Sequence, residues 1–234
     1  MRVLITRPRP ASDRLAGLLA TRGIDSAVEP LLDIRRRTGV TIDLAGAQAV
    51  LFTSANGVAA FAAATPRRDI RVLTVGPASG EAARAAGFAD VMSADGDVGA
   101  LAALVGRTLD PQAGAVLHAA GADLAGDLAA MLAPWGFTVR RVVLYDAIAA
   151  TVLTPETAGL LRQGGLDAAL FFSPRTASAF VTLVTRAGLV ANLSRVSALC
   201  LSANVVAALD KVSWARIRTA ARPDQDALLD LLAP

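Results

Sequence analysis

The chain has 234 residues, enough for one large domain or two small ones, each with a core of its own. Its formal net charge of +3 comes without a long basic run or a basic stripe with interleaved aromatic residues, so the sequence does not favour nucleic-acid binding. Hydrophobic residues make up 54% and are mostly Ala, Leu and Val. This composition is typical of Ala-rich helices packed on buried strands and favours an α/β fold.

Residues 49–64 form the longest apolar stretch, and Thr53, Ser54, Asn56 and Gly57 interrupt it before it reaches the roughly 18 apolar residues of a membrane span. The stretch therefore predicts a strand, a turn and a helix, with no membrane partner. The first ten residues contain charge and proline where a secretory signal needs an apolar run, so we expect a cytoplasmic protein.

The single cysteine and the single histidine exclude two kinds of site. Cys200 has no partner for an intrachain disulfide, and His118 has no second histidine with which to form a metal pair. We expect Cys200 to be a buried apolar residue and His118 to be a strand-end residue, with a catalytic base as the less favoured reading. No metal site is predicted.

Apolar runs suited to buried strands alternate with helix-like stretches along the chain. These runs are Val3–Thr6, Val50–Thr53, Val72–Val75, Ala115–His118, Ala168–Phe172 and Ser197–Leu201. Strand–helix alternation predicts parallel sheets.

A first kind of unit occurs twice. It consists of a strand, a leucine-bearing helix, a glycine stop and a second strand, beginning at Val3 with its stop at Gly23 and again at Val116 with its stop at Gly136. The offset is the same in both cases, since 116 minus 3 and 136 minus 23 are both 113. A constant offset of this kind indicates an internal duplication.

A second kind of unit also occurs twice, at residues 50–61 and 169–180, and each copy predicts a strand, a small polar turn and a helix with a buried Phe. The offset here is 119, from Ser54 to Ser173. With the units named A and B, the chain order is A, B, A′, B′. Periodicity leaves two groupings open: AB with A′B′, or B with A′ and A with B′.

Five blocks carry a resemblance to a known family. They are LITRP (4–8), VLFTSANGV (50–58), TVGPASGEAARAAGF (74–88), VVLYDA (142–147) and LDAALFFSPRTASAF (166–180). Their order and spacing resemble the uroporphyrinogen-III synthase family over nearly the whole chain.

The resemblance implies two similar parallel-sheet domains of the flavodoxin or Rossmann-like kind. One domain would hold residues 1–34 and 150–234, and the other residues 38–143. Two strands, 33–40 and 144–151, would join them as a hinge.

The resemblance also implies an activity. Members of the family cyclise the linear tetrapyrrole hydroxymethylbilane to uroporphyrinogen III, a step of heme biosynthesis that inverts the terminal pyrrole ring and releases water. They need no cofactor, and a transient contact with the preceding pathway enzyme is left open. The first step, loss of a hydroxyl group from an electron-rich pyrrole, is easy without help. The expected task of the protein is therefore to hold the substrate so that the substituted carbon of the terminal ring forms the new bond.

Tyr145 is the expected catalytic residue, because the family has a tyrosine at this place, where it would act as general acid on the leaving hydroxyl. Without the resemblance, a tyrosine at the end of a strand is more often a packing residue.

Substrate carboxylates are expected to bind at turns that join a strand to a helix, where helix N-termini offer free N–H groups and serine offers its hydroxyl. The expected binding residues are Thr6, Arg7, Ser54, Ala55, Asn56, Gly57, Ser79, Ser173, Pro174, Arg175, Thr176, Ser202 and Asn204. The alternative is ordinary N-capping by the serines and solvated arginines. The turn at Asn204 lacks the threonine that the family has there, which weakens that position.

Two other functions remain to be weighed. A non-catalytic two-domain module that binds an anionic small molecule would explain the duplication equally well. An enzyme with a nucleotide cofactor is disfavoured, because no G-x-G-x-x-G follows the first strand and no P-loop lysine is present.

Overall fold

The structure is a computed structural model that describes residues 1–9, 11–124 and 126–233. The chain divides into two compact units. Unit 1 contains Met1–Asp33 and Ile148–Pro234, and unit 2 contains Ile34–Ala147. In the part of the chain described, no helix is long and apolar enough to cross a membrane.

The strands are β1 (Arg2–Ile5), β2 (Asp25–Val28), β3 (Leu32–Arg36), β4 (Ala47–Phe52), β5 (Arg71–Thr74), β6 (Val91–Ser93), β7 (Ala115–Gly121), β8 (Val139–Ala149), β9 (Ala168–Phe171), β10 (Ser197–Cys200) and β11 (Arg216–Thr219). Each of the six predicted apolar runs overlaps a strand, and the strand ends differ from the prediction by no more than three residues.

The helices are α1 (Ala11–Thr21), α2 (Ala55–Ala64), α3 (Pro77–Ala85), α4 (Val98–Thr108), α5 (Leu128–Leu132), α6 (Pro155–Gln163), α7 (Pro174–Arg186), α8 (Ala203–Ala207) and α9 (Gln225–Leu229). Short 3₁₀ turns occupy Ala133–Trp135, Val190–Arg195 and Asp230–Leu232. The predicted α/β class is confirmed.

Unit 1 is built on a sheet with the strand order β11-β10-β9-β1-β2, in which every neighbouring pair is parallel. The central strands β1, β9 and β10 are apolar on both faces because helices cover both. Val3 and Ile5 pack into one core with Leu15 of α1, whereas Leu4 packs into the opposite core with Phe180 of α7. Burial on both faces explains why these strands appear in the sequence as continuous apolar runs.

Unit 2 is built on the sheet β3-β8-β7-β4-β5-β6. The pairs from β8 to β6 are parallel. Val50 and Phe52 of β4 pack against α2, and Leu51 lies in the opposite core with Leu101 of α4. Three phenylalanines meet on the α2 side, where the ring centroids of Phe52 and Phe61 are 5.5 Å apart in an edge-to-face arrangement.

The two sheets repeat each other strand by strand. The order β2-β1-β9-β10-β11 in unit 1 matches β8-β7-β4-β5-β6 in unit 2. Strands β1 and β7 are related by the offset of 113, and β9 and β4 by the offset of 119. Of the two groupings that periodicity left open, the structure has A with B′ and B with A′.

This strand order is the flavodoxin-like one, in which ligands bind beyond the carboxyl ends of the strands at the point where the order reverses. That point lies between β1 and β9 in unit 1, and between β7 and β4 in unit 2.

The chain passes from one unit to the other within β3 and β8, which are neighbours in the sheet of unit 2. The Arg37 amide donates to the Leu144 carbonyl (2.8 Å), and the Ala150 amide donates to the Leu31 carbonyl (3.0 Å). Residue numbers therefore rise along one strand as they fall along the other, so this pair is antiparallel.

Gly114 is held in a conformation that only glycine adopts easily. Its φ is +131°, and a Cβ built on it would lie 2.4 Å from the Gly46 carbonyl oxygen. That oxygen accepts a hydrogen bond from the Ala115 amide at 3.0 Å, so it cannot move away freely. The turn that leads into β7 therefore requires glycine at position 114.

We expect Gly114→Ala to lower the free energy of unfolding by about 1–3 kcal/mol, because alanine would be strained at this φ and its Cβ would collide with the Gly46 carbonyl oxygen. Gly159→Ala is the matched control, since Gly159 lies within α6 with nothing within 4 Å of its Cβ position. The control should raise stability by about 0.5–1 kcal/mol. Thermal unfolding followed by circular dichroism checks both, and a neutral Gly114→Ala would contradict the argument.

Candidate functional site

A hydrogen bond between Tyr145 and Ser54 lies at the carboxyl edge of the unit 2 sheet. The two hydroxyl oxygens are 2.8 Å apart, and either group can donate. Ser54 is the N-cap of α2, and its Oγ accepts the Gly57 amide at 3.2 Å. Tyr145 is only 8% exposed. The phenol is thus directed at the N-terminus of a ten-residue helix.

A register shift in β8 sets the direction of the Tyr145 side chain. Ala120 pairs with Val143, but Gly121 pairs with Tyr145, so Leu144 is an extra residue on β8. As a result, Leu144 and Tyr145 both pack into the core on the α2 side. In a regular strand, successive side chains would point to opposite faces.

Two glycines allow the groups at this edge to approach closely. A Cβ on Gly121 would lie 2.7 Å from Tyr145 Cε2, so the phenol ring occupies the space of a side chain. A Cβ on Gly57 would lie 2.9 Å from the Ala119 carbonyl oxygen. The first turn of α2 therefore sits directly against the backbone of β7.

The first turn of α2 supplies the other expected binding groups. Ala55 and Asn56 are half-buried and open the helix. N–H groups of the first turn have no partner within their own helix, and the helix dipole makes this end attractive to anions.

Ser79 lies one strand further along the same edge, in the first turn of α3 after β5. Its side chain is buried, its amide donates to the Gly76 carbonyl at 3.1 Å, and Gly76 rather than Ser79 is the N-cap. Ser79 thus shares the edge with Ser54 but has a different role in its helix.

His118, Thr53 and Arg141 form a polar cluster that the sequence analysis did not anticipate. His118 Nε2 lies 3.4 Å from Thr53 Oγ1, and the imidazole is only 2% exposed. Burial is the main cause that lowers the pKa of His118 from 6.5 to about 4, the charge of Arg141 lowers this pKa further, and Asp127 raises it. His118 is therefore neutral near pH 7.

Arg141 also reaches the end of β7. Its Nη2 donates to the Gly121 carbonyl (2.7 Å) and to the Ala122 carbonyl (2.6 Å). The arginine pair preceding VVLY was the available sequence signal, but it did not reveal which carbonyls the guanidinium would contact.

Unit 1 has a matching serine with different partners. Ser173 is the N-cap of α7 and accepts the Thr176 amide at 3.2 Å, while the two side-chain hydroxyls lie 3.0 Å apart. Thr176 stands where unit 2 has Gly57, and it is buried. The hydroxyl that meets a phenol in unit 2 therefore meets a neighbour of its own turn in unit 1.

Thr6 and Arg7 follow β1 at the same edge of unit 1. Thr6 is fully buried and donates to the Leu170 carbonyl at 2.6 Å, which ties β1 to β9. Arg7 stacks on the Phe172 ring, with its Cζ 4.3 Å from the centroid, and donates to Gln225 at 3.0 Å. Burial, and then the charge of Arg14, lower the pKa of Arg7.

The remaining expected residues are more open. Pro174, Arg175 and Asn204 are exposed and Ser202 is half-buried. Ser202 is the N-cap of α8, but its side chain makes no capping hydrogen bond. All of them follow β9 or β10 at the carboxyl edge of the unit 1 sheet.

In the described ranges, no group of three or more His, Cys, Asp or Glu side chains could hold a metal ion. Cys200 is buried and carries no disulfide, and burial raises the pKa of its thiol to about 11.

The comparisons with known proteins agree with this fold. A family model described as uroporphyrinogen-III synthase HemD matches residues 13–230. Among solved structures, the chain is similar to a uroporphyrinogen-III synthetase from Helicobacter pylori, with 16% identity, a TM-score of 0.63, and coverage of 99% of this chain and 98% of that one. A comparison with curated protein sequences gave no match.

A second solved structure, a mutant uroporphyrinogen III synthase from Thermus thermophilus, is 19% identical with a TM-score of 0.58. The alignment covers 99% of this chain and 97% of that one. At these identities the solved structures show a shared fold over the whole length.

The low pKa of His118 predicts a loss of stability in acid. Between pH 6.5 and about 4 the unfolded chain binds a proton that the folded protein excludes, so stability falls by about 3 kcal/mol as the pH drops through this window. Because His118 is the single histidine, its ring proton resonance should titrate alone with a midpoint near 4. His118→Gln should remove this part of the pH dependence, and a midpoint near 6.5 would contradict the prediction.

Proposed function

We infer from the family match that this chain, which belongs to the uroporphyrinogen-III synthase family, cyclises hydroxymethylbilane to uroporphyrinogen III in heme biosynthesis. The reaction is that of a cyclising hydro-lyase. The observation that supports it most directly is the match over residues 13–230, together with the hydroxyl pair of Tyr145 and Ser54 at the edge where this fold binds ligands.

We propose that Tyr145 is the general acid. It would donate its proton to the substrate hydroxyl as the carbon–oxygen bond breaks, so that water leaves and a cationic azafulvene remains. The substituted carbon of the terminal pyrrole then attacks this cation and forms the new carbon–carbon bond. The spiro intermediate fragments and closes again with the ring inverted, and loss of a ring proton completes the product.

Ser54 is suited to support this proton transfer. Its oxygen already accepts the Gly57 amide, so its own proton is available to the Tyr145 oxygen. In that arrangement the phenol proton is free to point at the substrate, and the positive end of α2 stabilises the phenolate that forms.

Each unit offers donors of its own for carboxylate binding. In unit 2 the donors would be the first turn of α2, which is an N-terminal helix turn, and the hydroxyl of Ser79, since the Ser79 amide already donates to the Gly76 carbonyl. In unit 1 Arg7 is the strongest candidate, because it is held in place by Phe172 and, among the described residues, no carboxylate pairs with it. A partly desolvated guanidinium gains from an anionic partner.

The complete proposed binding set is Thr6, Arg7, Ser54, Ala55, Asn56, Gly57, Ser79, Ser173, Pro174, Arg175, Thr176, Ser202 and Asn204. Within this set Thr6 would act by holding β1 against β9, since its hydroxyl is already engaged. We also propose a cytoplasmic location and a transient contact with the preceding enzyme of the pathway. A non-catalytic binding module is not favoured, because the family match covers nearly the whole chain.

The decisive assay supplies freshly prepared hydroxymethylbilane and separates the porphyrin isomers after oxidation. The protein should produce mainly the type III isomer, because it holds the terminal ring for attack at its substituted carbon. A boiled sample should yield type I from spontaneous closure. Type I alone from the native protein would refute the proposed function.

Tyr145→Phe should lower kcat by about 10- to 100-fold and leave KM within about threefold, because the phenylalanine ring keeps the packing on Gly121 but loses the proton. The isomer should remain type III, since positioning is unchanged. Ser54→Ala should give a smaller loss. A Tyr145→Phe protein with the kcat of the parent would remove the general-acid role.

A further inference from the structure

The guanidinium of Arg141 contacts the end of β7, where the register with β8 shifts, and the reaction proposed above gives this side chain no role. One of its terminal nitrogens, Nη2, donates to two successive carbonyls, those of Gly121 and Ala122. These are the last residue of β7 and the one after it. The guanidinium thus donates hydrogen bonds to the main chain at the place where the register of β7 and β8 changes.

The same short segment of main chain carries the Tyr145 ring. The Ala122 amide donates to the Tyr145 carbonyl at 2.9 Å. The ring lies over Gly121, where a Cβ would come within 2.8 Å of Cζ. Arg141 fixes the carbonyl side of this segment, and Tyr145 is fixed against its amide side and its α-carbon.

The position of Arg141 in the strand explains why the contact favours the shifted register. Arg141 pairs with His118 in the regular part of the ladder, three pairs before the shift. Its side chain must run along the strand to reach Gly121 and Ala122, so it links the regular part to the shifted part. A guanidinium is well suited to this, because its planar group presents several donors in a fixed geometry.

We propose that Arg141 is a positioning residue for the reaction: it holds the Gly121–Ala122 segment so that the extra residue in β8 directs the Tyr145 phenol at Ser54. The residue touches neither substrate nor the reacting atoms and acts through Tyr145. This inference rests on the proposed function for its kinetic part, whereas its structural part is independent of any activity.

The kinetic test is a double-mutant cycle. Arg141→Ala should lower kcat by about 3- to 10-fold with little change in KM, because the phenol is displaced while the carboxylate-binding turns are untouched. In a Tyr145→Phe background the same substitution should change kcat by less than about twofold, since no acid is left to position. Arg141→Lys should recover part of the activity, because an ammonium group can still donate to a carbonyl.

Arg140→Ala is the matched control. Arg140 precedes Arg141 on β8 but donates to Asp43 (3.2 Å) and to the Ala45 carbonyl (2.7 Å), away from Tyr145. Arg140→Ala removes the same charge from the same strand, and the kcat of this variant should stay within about twofold of the parent. Independent, multiplying effects of Arg141→Ala and Tyr145→Phe would overturn the proposal, because they would show that Arg141 acts by another route.

A spectroscopic test needs no substrate. Tyr145 is the single tyrosine, so a protein labelled with ¹³C-tyrosine gives one phenol signal. That signal should shift or broaden in Arg141→Ala, as it should in Ser54→Ala, and stay in place in Arg140→Ala. An unmoved signal in Arg141→Ala, alongside a shifted one in Ser54→Ala, would refute the positioning role. If the native protein yields only type I isomer, the proposed function fails, and this signal still decides the role of Arg141.

Discussion

The extra residue in β8 is the constraint on which the candidate site depends. Without it, Tyr145 would follow Arg141 and Val143 onto the face of the sheet opposite α2, and its hydroxyl could not reach Ser54. With it, Leu144 and Tyr145 both enter the core on the α2 side. The same core explains why the phenol is nearly buried and yet ends at a polar edge, since the ring packs on apolar groups while the oxygen meets the helix N-terminus.

The duplication shows how one copy differs from the other at this edge. Position 32, which the offset of 113 relates to Tyr145, is a leucine, and Thr176 replaces Gly57 in the second B unit. In unit 1 the hydroxyl of Thr176 lies beside Ser173, so that turn makes its own hydrogen bonds. Unit 2 instead leaves Ser54 available to a phenol. The shared scaffold thus supplies two similar carboxyl edges, and only the one in unit 2 joins a serine to a tyrosine.

Much of the fold could be predicted from the sequence. Buried parallel strands are apolar on both faces, so β9 and the second part of β4, from Ala49 to Phe52, appear as uninterrupted runs. The two constant offsets revealed the duplication. The grouping of the units could not be predicted from periodicity, because both arrangements use the same strands. The choice depends on long-range pairing, such as β1 with β9, which leaves no local signal.

The candidate site was less predictable for a physical reason. The alternation of residues 139–145 predicts one face for Arg141 and Tyr145, and a single inserted residue reverses that prediction. The role of Gly121 could not be predicted either, because no local sequence feature shows that the ring of Tyr145, 24 positions later, packs on it. The serines were found because strand–turn–helix junctions follow from pattern alone, whereas their hydrogen-bond partners depend on neighbouring strands.

These contacts also indicate that different groups would serve substrate binding and proton donation. In the proposed function, carboxylates would be held by groups whose orientation the backbone determines, such as the first turn of α2, and by Arg7, which Phe172 keeps in place. Such donors need little rearrangement when an anion arrives, so their effect is to fix the position of a flexible chain. A phenol is a weak acid, and a protein that relied on acid strength would have little use for one. A protein that relies on position can use it, because the main requirement is that the proton be present where the hydroxyl leaves.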